Sequence, residues 1–402
     1  WRTGLVIMSN LEYTIKELTP LLKAGVRRNN LLNKDSPMHD AAKECYDHLL
    51  DCNNYLWSDY SKQMNNKLIH DHLNITSNSG IKEIDTDLQS KYDIFCDDGL
   101  SFFDENERFN YHTNIKLVDS EDKRKLIKYY QPYFKPTGRI SDLAVIHSIS
   151  PVGLLSDNFK SGSANVCYTD LYKDEDLSCN LIIVDVKKNT HLKLNEFFQY
   201  KKGLKIFKII YLVRDNASLE LTREFDSYNK EECMRIVDSE IIQFPNSKLY
   251  VESRGEGSKN NQDLMFITAY GDCTTDVRGR YSLQENNIQS SVVNVHHRGE
   301  NSLSRIDVRS VLEDKSTSTF LGEIKVDKNA IGIDADLSNK NLLCSKNATV
   351  ITEPQLDINT KEIVCSHGCT VSNIDEQEIY YFETKGIDKE TASDIIKECF
   401  LN

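Results

Sequence analysis

The 402-residue sequence lacks several features, and each absence excludes a class of protein. It has no run of 18 apolar residues, the length that a membrane-spanning helix needs, so we expect no membrane span. Its 49 Lys and Arg residues stand against 62 Asp and Glu, and this formal net charge of −13 argues against a nucleic-acid partner. The signature sequences of phosphate-binding loops, zinc proteases and serine hydrolases are also absent, so we expect no catalysis by the chain alone.

The cysteines do not follow the pattern of a disulfide-bonded or zinc-binding protein. There are eleven of them, an odd number scattered along a long chain and never spaced C-x-x-C. We therefore expect reduced thiols that are mostly buried. The first thirteen residues, WRTGLVIMSNLEY, do not resemble a signal peptide, because they carry one Arg and no small-residue cleavage site. These features predict a cytoplasmic protein.

The two ends of the sequence show helical patterns. Near the N-terminus, apolar residues recur every three or four positions between Ser9 and Gly25, and a second such pattern follows Ser36-Pro37. The turn sequence Asp97-Asp98-Gly99 then predicts a β-hairpin. We therefore predict an N-terminal helical region with a small hairpin over residues 1–140. A short C-terminal helical segment is predicted over residues 373–402.

Between these ends, one short pattern recurs. It begins with Asn, which tolerates the left-handed conformation at turns, and continues with alternating aliphatic residues, the period of a half-buried strand. The first three copies are spaced by 27 and then 30 residues, and the last two by 18. The five copies begin at Asn189, Asn216, Asn246, Asn329 and Asn347.

A repeat of this length predicts coils that bury their apolar faces by stacking on one another. No helical pattern separates the strands, so we predict a mainly β protein whose core, residues 141–372, is a right-handed parallel β-helix. A β-sandwich is the alternative fold that this pattern allows.

The segment Cys365-Ser366-His367-Gly368-Cys369 is the candidate site for metal chemistry. In a strand, Cys365, His367 and Cys369 share one face, with neighbouring positions about 6.6 Å apart. Thiolates and imidazole are the ligands that iron and iron–sulfur clusters favour. The alternative is that the cysteines fill the β-helix core beside a hydrogen-bonded histidine. The adjacent His296 and His297 must face opposite sides of a strand, so they cannot join one site.

The C-terminal quarter of the sequence resembles the SufB/SufD family of the Suf system for iron–sulfur cluster assembly. The resemblance rests on an ordered series of motifs in residues 353–400 and on three shorter ones upstream. The main motifs are Glu-Pro-Gln-Leu-Asp-Ile at 353–358, Val-Cys-Ser-His-Gly-Cys-Thr-Val at 364–371 and Ile-Asp-Glu-Gln-Glu-Ile-Tyr-Tyr-Phe at 374–382. The upstream motifs begin at Gly299, Phe320 and Asn339.

Two positions make the resemblance one to the SufD type. In the SufB type, glutamate follows the conserved histidine and a cysteine lies about nineteen residues before it, whereas this chain has Gly368 and Ala348 there. The resemblance implies that His367, with Cys365 as a weaker candidate, contributes to a nascent cluster site. Cys369 stands where a small residue is usual, so its ligand role is doubtful and packing is the alternative.

The resemblance also implies partners and a role. SufD pairs with SufB through the β-helix and binds the ATPase SufC through its C-terminal helices. The expected function is that of a scaffold that assists iron acquisition and cluster assembly in the SufBCD complex and is not itself an enzyme. A transient cluster or iron would lie at the interface with SufB, and none would be held stably by the isolated chain. The alternative functions are a SufB-like scaffold that forms a homodimer and a carbohydrate-active β-helix enzyme, and a homodimer is the alternative assembly of the isolated chain.

Overall fold

The computed structural model describes residues 43–45, 94–97, 100–103, 115–117, 129–137, 139, 141–147, 152–156, 162–169, 177–200, 203–226, 233–258 and 260–402. The longer helices in these residues are α1 (Asp142–His147), α2 (Glu376–Thr384) and α3 (Lys389–Leu401), with a 3₁₀ turn at Gln131–Tyr133. Residues 43–45 and 129–130 are also helical. The strands are β1 (Ile94–Asp97), β2 (Leu100–Phe103), β3 (Ile115–Leu117), β4 (Val152–Ser156), β5 (Gly162–Thr169), β6 (Leu177–Val186), β7 (His191–Gln199), β8 (Gly203–Val213), β9 (Ser218–Asp226), β10 (Cys233–Gln243), β11 (Lys248–Gly255), β12 (Asn260–Ala269), β13 (Thr274–Leu283), β14 (Ile288–His297), β15 (Leu303–Leu312), β16 (Thr317–Val326), β17 (Ile333–Leu343), β18 (Thr349–Ile358) and β19 (Ile363–Asn373).

Successive strands enter two different sheets. In the described residues the odd-numbered strands from β5 to β19 pair in sheet 1, and the even-numbered strands from β4 to β18 pair in sheet 2. All of these pairs are parallel. One strand from each sheet makes a coil, and each coil stacks on the one before it. The predicted parallel β-helix is confirmed.

Left-handed asparagines close three of the turns between coils. Asn189, Asn216 and Asn246 have φ of 61°, 54° and 65°, and strands of sheet 1 begin two residues after each of them. The Asn189 N–H donates to the carbonyl of Asp215 (3.1 Å), and the Asn216 side chain donates to that of Asn189 (3.1 Å). The turns therefore stack as the strands do, and the repeat predicted from the first three copies is confirmed.

The last two copies of the pattern differ from the first three. Asn329 precedes a strand of sheet 1 and Asn347 a strand of sheet 2, so their spacing of 18 residues spans half a coil. Neither has a positive φ, and at the first of these turns Gly332 takes that conformation instead, with φ of 69°. A glycine adopts this conformation without the steric penalty that a Cβ brings. Asn329 in the same turn therefore does not need a positive φ.

The N-terminal elements join the β-helix directly. β1 and β2 form the antiparallel hairpin predicted around Asp97-Asp98-Gly99, and β1 also pairs in parallel with β5. The hairpin thus extends sheet 1. The predicted helix over residues 9–25 lies outside the described residues, and of the second predicted helix residues 43–45 are described as helical.

The described residues between 129 and 147 cover part of the outer face of sheet 2. Every residue of β8 is buried, because the β-helix core lies on one face of this strand and the covering segment on the other. Tyr130 donates a hydrogen bond to Asp185 (2.5 Å), Asp142 pairs with Lys208, and Arg139 pairs with Asp238 (2.6 Å). α1 belongs to this cover, so a helix lies inside the range 141–372 that was predicted as β-helix.

A buried charged network crosses the interior between the two sheets. Arg223 of β9 donates to Asp263 of β12 (2.6 Å) and, through two nitrogens, to Glu196 of β7 (3.1 Å each). Tyr211 donates to Glu196 (2.7 Å) and Tyr281 to Asp263 (3.1 Å). All five side chains are fully or almost fully buried. The network therefore ties four neighbouring coils together through paired charges.

Two further findings bear on the expectations from composition. In the part of the chain that the structure describes, no helix has both the length and the apolar character needed to cross a bilayer. Nine cysteines within the described residues are free thiols, and five of these nine are buried.

We predict that Arg223→Met lowers the free energy of unfolding by about 3–5 kcal/mol, because it leaves two buried carboxylates without their cation. The matched control is Arg254→Met, which removes an exposed arginine from the adjacent strand and should cost about 1 kcal/mol or less. Denaturant unfolding of both variants measures the difference. Equal stabilities would show that the interior network contributes little to the fold.

Candidate functional site at the open end of the β-helix

The β-helix ends on two strands that are each paired on one side. β19 is the last strand of sheet 1 and β18 the last strand of sheet 2, and no other described strand pairs with their outer edges. Leu356 on β18 is 37% exposed, and Val364 and Val371 on β19 are 70% and 49% exposed. The final coil therefore presents apolar side chains and unpaired backbone to its surroundings.

The hydrogen bonds of β18 show which of its backbone groups face the free edge. Thr349 N–H donates to the carbonyl of Ser316 (2.9 Å) and Asn359 N–H to that of Val326 (3.1 Å), so odd-numbered residues point to β16. The N–H and C=O groups of the even-numbered residues therefore point to the free edge. Pro354 is one of them, so its missing N–H removes no bond within the chain.

On β19 the parity is reversed. The N–H of Gly332 donates to the carbonyl of Glu362 (2.8 Å), which directs the even-numbered residues toward β17. Cys365, His367 and Cys369 therefore turn their own N–H and C=O groups to the free edge. This edge contains no proline between its first and last residues.

The three candidate ligands lie in one row on β19, as predicted. In the pairing with β17, Cys365 lies beside Ala335, His367 beside Leu337 and Cys369 beside Asn339. These β17 residues are buried in the β-helix interior, so the ligand row continues the inward-facing side of the coil. Because no further coil covers it, the row lies at the mouth of the interior.

The three side chains differ in exposure. Cys365 is partly buried and packs against the apolar core, whereas His367 and Cys369 are exposed. The alternative that the cysteines fill the core therefore describes Cys365 in part. It does not describe Cys369, which is no packing residue in this chain.

The spacing limits which ligands act together. Cys365 and Cys369 are four strand positions, about 13 Å, apart, which is too far for both to bind one iron atom. His367 lies between them and can share a metal with one or the other. Among the described residues, no three His, Cys, Asp or Glu side chains are grouped closely enough to hold a metal ion.

Electrostatics distinguishes the Cys365 thiol. Burial raises its pKa, and the carboxylates of Asp336 and Asp334 on the neighbouring strand raise it further. The hydroxyl of Ser366 donates to Asp336 and fixes that carboxylate beside the site (2.5 Å). The raised pKa keeps Cys365 protonated at neutral pH, so binding of a metal there must displace a proton.

Gly368 faces open space on the side of β19 opposite to His367. A Cβ built on it would meet no atom within 4 Å, and its φ is not positive. Neither packing nor backbone conformation within this chain therefore requires glycine at this position.

Two buried asparagines, Asn339 and Asn341, form a polar floor beneath the outer part of the ligand row. Asn341 donates to Asn339 (2.6 Å), which donates to the carbonyl of Val308 (3.0 Å). Asn339 lies beside Cys369 and Asn341 beside Val371. In the sequence, the motif that begins at Asn339 contributed only to the family resemblance. Its signal was two amides at inward-facing positions of a strand.

The adjacent histidines lie away from this site and face opposite sides, as predicted. His296 contacts Asp327 on the outer surface (2.8 Å), and His297 contacts Ser304 inside (3.0 Å). Burial lowers the pKa of His297 to about 4, so it is neutral at physiological pH.

A second surface feature follows the ligand row along the chain. α2 and α3 begin at capping aspartates, where Asp375 accepts from Gln377 N–H (2.8 Å) and Asp388 from Thr391 N–H (3.0 Å). Between the helices lies an apolar groove of about 600 Å³. Its lining includes Tyr381, Phe382, Ile395, Ile396 and Phe400.

We predict that a maleimide or iodoacetamide probe labels Cys369 before Cys365 at pH 8, because Cys369 is exposed and the raised pKa of Cys365 leaves less thiolate. Asp336→Asn should lower the pKa of Cys365 and speed its labelling about two- to fivefold, and Asp334→Asn should do so less. Glu353→Gln, on β18, is the control. Mass spectrometry of each cysteine gives the rates, and an unchanged Cys365 rate in Asp336→Asn contradicts the assignment.

Comparison of the sequence with known proteins identifies a matching family. The model of the family described as "SUF system FeS cluster assembly, SufBD core domain" matches residues 171–400, more than half of the chain. This range contains the β-helix from β6 onward, α2 and all of α3 but its last residue.

Individual relatives are similar over shorter stretches. The iron–sulfur cluster assembly protein SufD of Escherichia coli is 39% identical over 92 residues, 23% of this chain and 22% of the relative. SufD of Bacillus subtilis is 29% identical over 144 residues, 36% of this chain and 32% of the relative. Protein ABCI7, chloroplastic, of Arabidopsis thaliana is 30% identical over 105 residues, 26% of this chain and 22% of the relative.

The alignments thus span between about a fifth and a third of these relatives' lengths. The family match is longer than any of these alignments and includes the whole ligand row. Together with the SufD names of two relatives and the Cys-Ser-His-Gly sequence of β19, it shows that the chain belongs to the SufB/SufD family of the SUF system for iron–sulfur cluster assembly, as a member of the SufD type.

Proposed function

We propose that this chain is the SufD-type scaffold subunit of a SufBCD complex, in which it helps to acquire iron and to assemble nascent iron–sulfur clusters. The observation that carries the proposal is the placement of His367 and Cys365 on the last, half-paired strand of the β-helix. On this proposal the chain is a scaffold and not an enzyme, and its compartment is the cytoplasm, in keeping with the free thiols.

The open end suits pairing with a homologous β-helix. A partner strand that adds to β19 would satisfy the backbone groups of Cys365, His367 and Cys369, and its side chains would cover the exposed apolar residues. SufB is the partner that we propose, because a paralog with the same fold ends on strands of the same kind. A second copy of this chain is the competing occupant, which predicts a homodimer in isolation.

The ligand row suits iron chemistry at such an interface. A neutral imidazole at His367 donates a lone pair to iron, and the Cys365 thiolate can add one soft ligand from the same side. The spacing on β19 supplies one or two ligands to a metal, so the remaining ligands of a cluster would come from SufB. Gly368 leaves open space on the opposite face of β19, where a side chain of that partner has room. The iron and the cluster are cargo that passes through this site.

The groove between α2 and α3 suits the third subunit. It is apolar and open, and Tyr381 at its rim is 60% exposed. Apolar grooves between helices are a common way to receive a partner's hydrophobic side chains. We propose that the ATPase SufC docks here and that ATP hydrolysis belongs to that subunit.

We predict that His367→Ala preserves folding and pairing with SufB but lowers cluster formation on the reconstituted complex about tenfold or more, since it removes a ligand. Folding should change by less than about 0.5 kcal/mol because the side chain is exposed. Absorbance of the cluster during reconstitution with iron, sulfide, SufB and SufC gives the measurement.

Cys369→Ala is the matched control on the same strand. It should be nearly silent, because the family accepts a small residue at this position. If His367→Ala assembles clusters like the wild type while Cys369→Ala does not, the roles of the two residues are reversed and the proposed site is wrong.

We predict that Tyr381→Ser weakens SufC binding about tenfold or more, because an aromatic side chain at a groove rim contributes a large share of a helical interface's affinity. Tyr380→Ser removes the adjacent tyrosine, which is 68% exposed but does not line the groove, and should change binding less than about twofold. Calorimetry with purified SufC compares the variants. Equal effects of the two substitutions would place the docking surface elsewhere.

A further inference from the structure

The C-terminal helices α2 and α3, here called the helical pair, are joined to β19 by a very short linker. β19 ends at Asn373 and α2 begins at Glu376, so Ile374 and Asp375 alone connect them. Asp375 is already held as the helix cap by its hydrogen bond from Gln377 N–H. Two residues of extended chain span at most about 7 Å, so a displacement of α2 acts directly on the end of β19.

α3 turns back and contacts a strand further inside the β-helix. Lys397 of α3 forms an ion pair with Glu313, the residue that follows β15 (2.6 Å), and both side chains are about four-fifths buried. Arg309 of β15 donates to the carbonyl of Phe400 in the last turn of α3 (2.9 Å). Ala392 of α3 is fully buried. These contacts fasten the helical pair to β15.

The two strands that receive the helical pair differ in how firmly they are held. β15 is paired with β13 on one side and β17 on the other, whereas β19 is paired with β17 alone. β19 is also exposed along nearly its whole length. A displacement of the helical pair is therefore transmitted to β19, which is paired on one side only, and to β15, which is paired on both sides.

We propose that Lys397 and Arg309 are positioning residues that brace the helical pair against β15 and thereby hold β19 in register on β17. The brace fixes the place at which His367 meets a partner, and, resting here on the proposed function, it sets how far a movement of docked SufC reaches the ligand row. Neither Lys397 nor Arg309 lines the helical groove, and Arg309 contacts the groove residue Phe400 through its backbone carbonyl.

The alternative is that Lys397 and Glu313 are a local surface ion pair with no effect beyond α3. The two cases predict that a substitution changes the hydrogen exchange of different amides. Loss of a local pair changes the amides of α3, while loss of a brace also changes the amides that join β19 to β17. Ser366, Gly368, Thr370 and Ser372 are the residues of β19 whose N–H groups point to β17, so they report on the brace.

Amide hydrogen exchange of the purified full chain tests the brace without any partner. In Lys397→Met and in Arg309→Met we expect the reporting amides of β19 to exchange about five- to tenfold faster than in the wild type, with those of β15 little changed. The control is Lys389→Met, which removes an exposed lysine at the start of the same helix. If both brace variants leave β19 exchange at the control rate, the proposal is wrong.

A charge exchange separates the ion pair from general damage to the helix. Lys397→Glu sets two carboxylates against each other and should speed β19 exchange at least as much as Lys397→Met. Adding Glu313→Lys restores opposite charges and should return most of the protection, since Asp394, the other partner of Lys397, is 68% exposed. If the double variant exchanges as fast as Lys397→Glu alone, the ion pair is not the bracing contact.

The complex provides the functional readout. With SufB and SufC present, Lys397→Glu should bind SufC within about twofold of the wild type, because it leaves the groove intact, but should assemble clusters several-fold more slowly, and Glu313→Lys should restore the rate. Unchanged assembly in Lys397→Glu overturns the brace's role in function. If the wild-type complex itself forms no clusters, the proposed function fails, whereas the exchange result on the free chain still decides the brace.

Discussion

The strands of a parallel coil obtain their backbone hydrogen bonds from the coils before and after them, and this dependence governs the whole molecule. β7 is complete because β5 and β9 lie beside it, and the same holds for each interior strand. The rule has no solution at the last coil, where β18 and β19 have a neighbour on one side only. The candidate ligands lie on β19, one of these two strands. The candidate site therefore lies where the fold leaves backbone groups of a strand without a partner strand.

The interior shows a second use of the same stacking. Parallel coils slip in register easily if their inward faces are uniformly aliphatic, because one apolar contact is much like the next. Arg223 meets carboxylates on two different strands, so a shift of one position would bury an unpaired charge. The apolar residues supply most of the burial, and the charged network selects one alignment of the coils.

The sequence predicted the repeating parts of this structure and missed those that depend on contacts between distant residues. The asparagines at 189, 216 and 246 are locally determined, because a turn needs a left-handed residue wherever it occurs. The shared face of Cys365 and His367 follows from strand alternation alone.

By contrast, the exposure of Cys369 depends on which coil is last, and no local pattern states that. The pair of Lys397 and Glu313 joins residues 84 positions apart, and the cover formed by residues 129–147 depends on a surface that only the assembled sheet creates. Charged residues at inward-facing strand positions, such as Arg223 and Glu196, were a readable sign of an interior network. This sign is weak because a charged side chain in a strand is usually solvated.

The two free edges have a consequence for how such a subunit is produced. An unpaired β-strand is a template on which any compatible strand can add, and proline at the edge of β18 obstructs this on one sheet while β19 has no such protection. Chains synthesised in excess of their partner would therefore have their stickiest surface uncovered, and would be the ones most exposed to self-association and to proteolytic removal. Balanced synthesis of partner and chain is the simplest protection, so the open edge makes subunit stoichiometry a matter of protein quality control.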